Sequence, residues 1–153
     1  MEGLGAAGSI VGILGFIGQS IAGIAALQKF FEDYKNSPGI ANKLNREMTK
    51  LEASLMDVEA VVQLLRKQSW GELAGAVKVN IATLQHLTKH CSHDIATWVQ
   101  VTAGLDPKQK SGFKAFFQKV KLAMSGPDKV RSFEADVSRH CQNISNALGT
   151  LSL

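Results

Sequence analysis

Apolar positions recur along this chain at helical spacing in several long stretches. From Leu44 the sequence steps through Met48, Leu51, Leu55, Val58, Val62 and Leu65 at alternating intervals of four and three, which puts all seven on one face of a helix. Lys43, Arg46, Glu47, Lys50, Asp57 and Arg66 fill other faces, and Glu47 and Lys50 are spaced to pair one turn apart. The spacing predicts an amphipathic helix over 40–68. After a break at Ser69-Trp70-Gly71, the positions Leu73, Val77, Ile81, Leu84, Leu87, Cys91, Ile95, Trp98 and Val101 share one broad face of a second long helix, which Gly104 through Pro107 should end. Asn80 falls near that face and would need a hydrogen-bond partner there. Phe113, Phe116, Phe117, Val120 and Met124 mark a shorter helix. After the Ser125-Gly126-Pro127-Asp128 turn, a last helix carries Val130, Phe133, Val137, Cys141, Ile144, Leu148 and Leu151. No stretch shows sustained strand alternation with hairpin turns.

The first thirty residues follow a different pattern. Between Glu2 and Lys29 no side chain is charged, and a run of about 20 apolar residues suffices to cross a bilayer. On a helix, Gly8, Gly12, Gly15, Gln19, Ala22 and Ala26 form a stripe of small residues and one amide. Ile10, Ile13, Leu14, Ile17, Ile21 and Ile24 form a bulky ridge opposite, with Phe16 beside it. Gly8-x-x-x-Gly12 is a spacing that lets helices approach closely in lipid. The stripe is therefore the expected helix-contact face, and the ridge the surface exchanged between protein and lipid. Three readings stay open from the residues alone: a central helix buried all round, a membrane-inserting segment over 3–28, and a cleaved signal. The last is disfavoured by the lack of any Lys or Arg ahead of the apolar run. Gly3-x-Gly5-x-x-Gly8 satisfies a dinucleotide-binding pattern literally, but two residues cannot supply the strand that must precede it. The helix should end near Asn36-Ser37-Pro38-Gly39. The chain is thus expected to be all-α, a single bundle of about five helices with a hydrophobic, Gly-rich N-terminal helix.

Composition adds little until charge is located. With 153 residues the chain is long enough for one domain with its own core. Two cysteines, Cys91 and Cys141, argue against a disulfide scaffold and suit a reducing cytosol. The net charge is +4, but 106–131 holds Lys108, Lys110, Lys114, Lys119, Lys121, Lys129 and Arg131 against Asp106 and Asp128, so the charge is one local patch. Lys108, Lys110, Lys114, Lys119 and Lys121 are the candidate contacts to anionic lipid, each worth about 1 kcal/mol near a charged surface. Nucleic acid is not expected as a partner, because the phenylalanines among these lysines fall on the core stripe rather than where bases could stack.

Candidate chemistry is thin. His86, His90 and His93, with Asp94 one turn beyond His90, make the best metal-like cluster. They project opposite the Leu84-Cys91-Ile95 stripe, so an exposed polar face is expected instead of a metal site. His140-Cys141 suggests a thiol–imidazole pair, yet Cys141 falls on the apolar stripe, where cysteine behaves as a small hydrophobe. No catalytic residue, metal or cofactor is expected, and the chain does not read as an enzyme.

The opening Gly/Ala/Ile-rich helix directly after Met1-Glu2, followed by a charged helix after a Ser-Pro break, resembles the fungal HeLo-like (HELL) domain. So do the segments Ala123-Met124-Ser125-Gly126-Pro127-Asp128-Lys129-Val130 and Arg139-His140-Cys141-Gln142-Asn143-Ile144-Ser145-Asn146-Ala147-Leu148. That domain stands at the N-terminus of NLR-like STAND receptors and of amyloid-signalled cell-death executioners, and is related to necroptosis four-helix bundles. The resemblance implies a bundle that is inert in the cytoplasm until an upstream NLR-like or amyloid-motif partner brings copies together. The first helix then inserts into the plasma membrane, in programmed cell death and heterokaryon incompatibility. It also implies a polar group in the first helix for channel activity, for which Glu2 and Gln19 are the candidates in this chain.

Overall fold

The computed structural model describes residues 2–33, 38–67, 75–103, 105, 115, 116, 118 and 133–151, with the side chains of 2–7, 38 and 40 excepted. Within them the chain is all-helical: α1 (Glu2–Glu32), α2 (Pro38–Arg66), α3 (Gly75–Thr102) and α4 (Phe133–Thr150). Four helices are described where about five were expected. Most of the short helix expected over 113–124 lies outside the described residues, although Ala115, Phe116 and Gln118 are helical.

The stripe that defines α2 is buried along its whole length, from Leu44 through Leu65, with no member more than 1% exposed. Pro38 opens the helix at a position where its missing N–H would have no intrahelical acceptor. On the solvent side Lys50 Nζ lies 3.3 Å from Glu47 Oε1, the pair expected from the spacing. Ile81, Leu84, Cys91, Ile95 and Trp98 turn inward on α3, and Phe133, Val137, Ile144 and Ala147 on α4. Glu134 and Asp136 in the first turn of α4 suit the positive end of its dipole.

The four helices form a square. α1 packs against α2 and α3, and α4 packs against the same two, so α1 and α4 lie across one diagonal. Side-chain contacts fix the directions. Gly12 meets Gln85, Gln19 bonds Ser92 and Gly23 meets Ile95, so α1 and α3 run parallel. Lys43 pairs with Glu134 and Ser54 meets Ser145, so α2 and α4 are also parallel. Asn80 Nδ2 donates to the Thr150 carbonyl at 3.2 Å, and Asp94 meets His140, so α3 and α4 are antiparallel. Asn80 thereby has the partner its position demanded.

One end of the square is closed by rings. Phe31 packs edge-on against Phe116 and Phe133 at 5.7 and 5.9 Å, and Trp98 stands edge-on to Phe133 at 4.7 Å. Such pairs add about 0.5–1.5 kcal/mol each beyond the area they bury. This cluster ties the last turn of α1 to α3, α4 and the segment around Phe116.

Candidate membrane-active helix

α1 is half core and half surface, and the two halves are unlike those of the other helices. Ile10, Ile13, Ile17, Ile24, Leu27, Phe30 and Phe31 are buried in the bundle, and Leu14, Phe16 and Ile21 are half-buried beside them. The isoleucine ridge is thus the face that contacts α2 and α3 here. The small stripe expected to make helix contacts lies mostly outside: Gly8, Gly15, Gln19, Ala22 and Ala26 are exposed, and only Gly12 is half-buried, against the Gln85 amide. The branched residues bury more area per position than the glycines can, so in water they win the core.

The outer face is the unusual one. Val11 is 58% exposed, and with Gly8, Gly15, Gly18, Ala22, Ala25 and Ala26 it makes a solvent-facing surface without one charged group from Gly8 to Gln28. On α2 the corresponding face carries Lys43, Arg46, Lys50, Asp57 and Arg66. Residues 8–32 are long and apolar enough to cross a bilayer, and only one-third of the qualifying window is buried in the bundle. Gly8, Gly15 and Gly18 have nothing within 4 Å of where a Cβ would stand. Their smallness serves no contact within the described residues, while each weakens the helix by roughly 0.8–1.0 kcal/mol relative to alanine.

A polar seam runs between α1 and α3. Ser92 Oγ donates to Gln19 Oε1 at 3.0 Å. Ser20 is fully buried, and its hydroxyl meets no nitrogen or oxygen partner in good geometry. It lies beside the buried Cys91 thiol. Burial pushes that thiol up to about 12, the Asp94 carboxylate adds to the rise, and the Ser20 hydroxyl offsets part of it. Cys91 is therefore a protonated, inert filler at neutral pH. Between α1 and α2, Gln28 Nε2 donates to Thr49 Oγ1 at 3.1 Å.

The remaining candidate residues separate. His86, His90 and His93 are exposed as expected, and His86 and His90 stack edge-on at 4.9 Å. Asp94 turns away from them into the interior, where Oδ2 meets His140 Nε2 at 2.6 Å with side chains 11% and 7% exposed. No group of three potential metal ligands exists among the described residues. His140 is thus paired across the α3–α4 interface rather than with Cys141, which meets Ser54 at 3.5 Å instead. The Asp94–His140 pair was not anticipated, nor was the close approach at Gly23, where a Cβ would stand 2.4 Å from Ile95 Cγ2. Lys108, Lys110, Lys114, Lys119 and Lys121 lie outside the described residues, as does the Glu2 side chain.

No family model, curated protein or solved structure matches the chain. The HeLo-like resemblance accordingly rests on the residues quoted for it.

Proposed function

We propose that this chain is a membrane-disrupting execution domain whose first helix is stored in the bundle and passed to a bilayer when copies cluster. The observation that carries this reading is the outer face of α1, uncharged and, Gln19 apart, apolar on a helix that is otherwise part of the bundle. The buried ridge is as well accommodated by hydrocarbon as by the bundle interior, so its exchange is close to neutral in the hydrophobic term. The outer face supplies the surplus, because Val11, Ala22, Ala25 and Ala26 leave water only when lipid covers them. Departure of α1 uncovers the apolar faces of α2 and α3, and a second copy can cover them, which couples release to self-association. The basic segment from Lys108 to Lys121 draws the domain to anionic lipid.

In line with the HeLo-like resemblance, the domain rests in the cytoplasm, answers an NLR-like or amyloid-motif partner, and acts at the plasma membrane in cell death as a pore-forming or lytic assembly. Burial of Ile10, Ile13, Ile17 and Ile24 favours one alternative, a soluble adaptor or oligomerisation module in which α1 is a permanent core element. Fusing the full chain to an inducible dimeriser and sedimenting it with anionic liposomes separates the two. The membrane reading expects clustering to move the protein into the pellet. Protein that stays in the supernatant in both states establishes the adaptor.

A further inference from the structure

The two ends of α1 are held in different ways. From Gly8 to Gly18 there are four glycines in eleven residues, at 8, 12, 15 and 18. The inward groups at and below Ser20 are three isoleucines, with Leu14 and Phe16 half-buried beside them, and the polar ties to α3 are the Gln19–Ser92 hydrogen bond and the Ser20 hydroxyl against the Cys91 thiol. From Ile24 to Phe31 there is no glycine. Ile24, Leu27, Phe30 and Phe31 are all buried there, Gln28 is tied to Thr49, and the two rings are locked against Phe116 and Phe133. Gly23 stands at the boundary, where a Cβ would lie 2.4 Å from Ile95 Cγ2, and a residue without a Cβ lets the backbone bend there at least cost.

We infer that α1 does not leave the bundle whole: it opens at Gly23, so that residues 3–23 depart while Ile24–Glu32 stay docked as an anchor. This rests on the membrane reading for its purpose, though the boundary itself is a property of the fold in water. Local opening follows contact quality along an element, and the N-terminal part has the poorer contacts. The length also fits. Residues 3–23 on a helix rise about 31 Å at 1.5 Å per residue, against about 30 Å of hydrocarbon. The anchor then keeps Lys29, Glu32 and Asp33 at the bundle, outside the apolar layer.

Native-state hydrogen exchange on the full chain in water tests the boundary without any membrane. The amides of Gly8–Gly23 are expected to exchange at least tenfold faster than those of Gln28–Glu32, whose acceptors lie at Ile24–Gln28. One common rate from Gly8 to Glu32 would overturn the inference. Cross-links test its use. In a Cys91→Ala/Cys141→Ala background, joining Gln19→Cys to Ser92→Cys with a short bis-maleimide should cut leakage from anionic vesicles at least tenfold. Joining Gln28→Cys to Thr49→Cys should leave leakage within twofold of the uncross-linked protein. Loss of leakage with both links means that the whole helix must leave, and full leakage with both means that no part of it need leave; either result overturns the inference. If no form leaks, the membrane reading fails, and the exchange step alone decides whether α1 opens at Gly23.

Discussion

Gly23→Ala isolates the contact on which α1 turns. The added Cβ would stand 2.4 Å from Ile95 Cγ2 and 3.5 Å from Val99 Cγ2, and Ile95 is 1% exposed, so it has little room to retreat. Forcing a methyl into a packed interior costs about 1–3 kcal/mol. Replacing glycine by alanine within a helix returns roughly 0.8–1.0 kcal/mol. The expected result is net destabilisation of about 0–2 kcal/mol in urea unfolding, with an unchanged slope against denaturant. Gly15→Ala and Gly18→Ala provide the reference. Nothing lies within 4 Å of either position, so each should gain roughly 0.8–1.0 kcal/mol from helix propensity alone. The difference between Gly23→Ala and Gly15→Ala is then the packing cost itself. Combining Gly23→Ala with Ile95→Ala, which removes the opposing Cγ2, should show favourable coupling of about 1–3 kcal/mol in a double-mutant cycle. Equal stabilisation by Gly23→Ala and Gly15→Ala would refute the close approach, and so would coupling below about 0.5 kcal/mol.

Three other outcomes follow from single features. Asp94→Ala strands the buried His140 imidazole without its 2.6 Å partner and should cost about 1–3 kcal/mol in thermal or urea unfolding; a loss under about 0.5 kcal/mol would mean that the pair contributes nothing. Cys91 carries a thiol raised from 9.0 to about 12 in the folded chain. Above about pH 9 the unfolded chain therefore binds fewer protons than the folded one, and stability falls as pH rises towards 12, by about 1.4 kcal/mol per unit from this group. Unfolding free energies from urea titrations between about pH 10 and 11 should show most of that slope, and Cys91→Ala should remove this group's share of it. Changing Lys108, Lys110, Lys114, Lys119 and Lys121 together to Gln should weaken binding to anionic vesicles by more than about a thousandfold, at about 1 kcal/mol per charge; unchanged binding would remove the basic segment from the account.

The fold was legible where one helix face is apolar and the other is charged. On α2 the seven-residue stripe and the Glu47–Lys50 pair both stand where the spacing puts them. On α1 that contrast is missing. Neither the isoleucine ridge nor the small stripe carries a charge, so periodicity separates two faces without saying which one looks inward, and bulk decides it in favour of the ridge. The buried Asp94–His140 pair was hidden for a different reason. The two residues are 46 positions apart on different helices, and Asp94 falls beside three histidines at metal-like spacing that point the other way. A signal for His140 did exist. Phe133, Val137, His140, Ile144, Ala147 and Leu151 step by four and three without a break, and all six are buried. Cys141 and Leu148, the more hydrophobic choices, each lie one position beyond that register and are only half-buried. Gly23 gave no signal, because a close approach depends on the partner helix.

The central claim is that α1 serves bundle and bilayer in turn, and charge on its outer face tests this most directly. Val11 and Gly15 are exposed, so Val11→Lys/Gly15→Lys leaves the packed face of α1 untouched, whereas lysines near the middle of a membrane helix cost about 2.5–3.5 kcal/mol each. The account predicts a variant with helicity and urea midpoint at or above wild type whose leakage from anionic vesicles, under forced clustering, falls to background. Wild-type leakage from that variant would contradict insertion of α1.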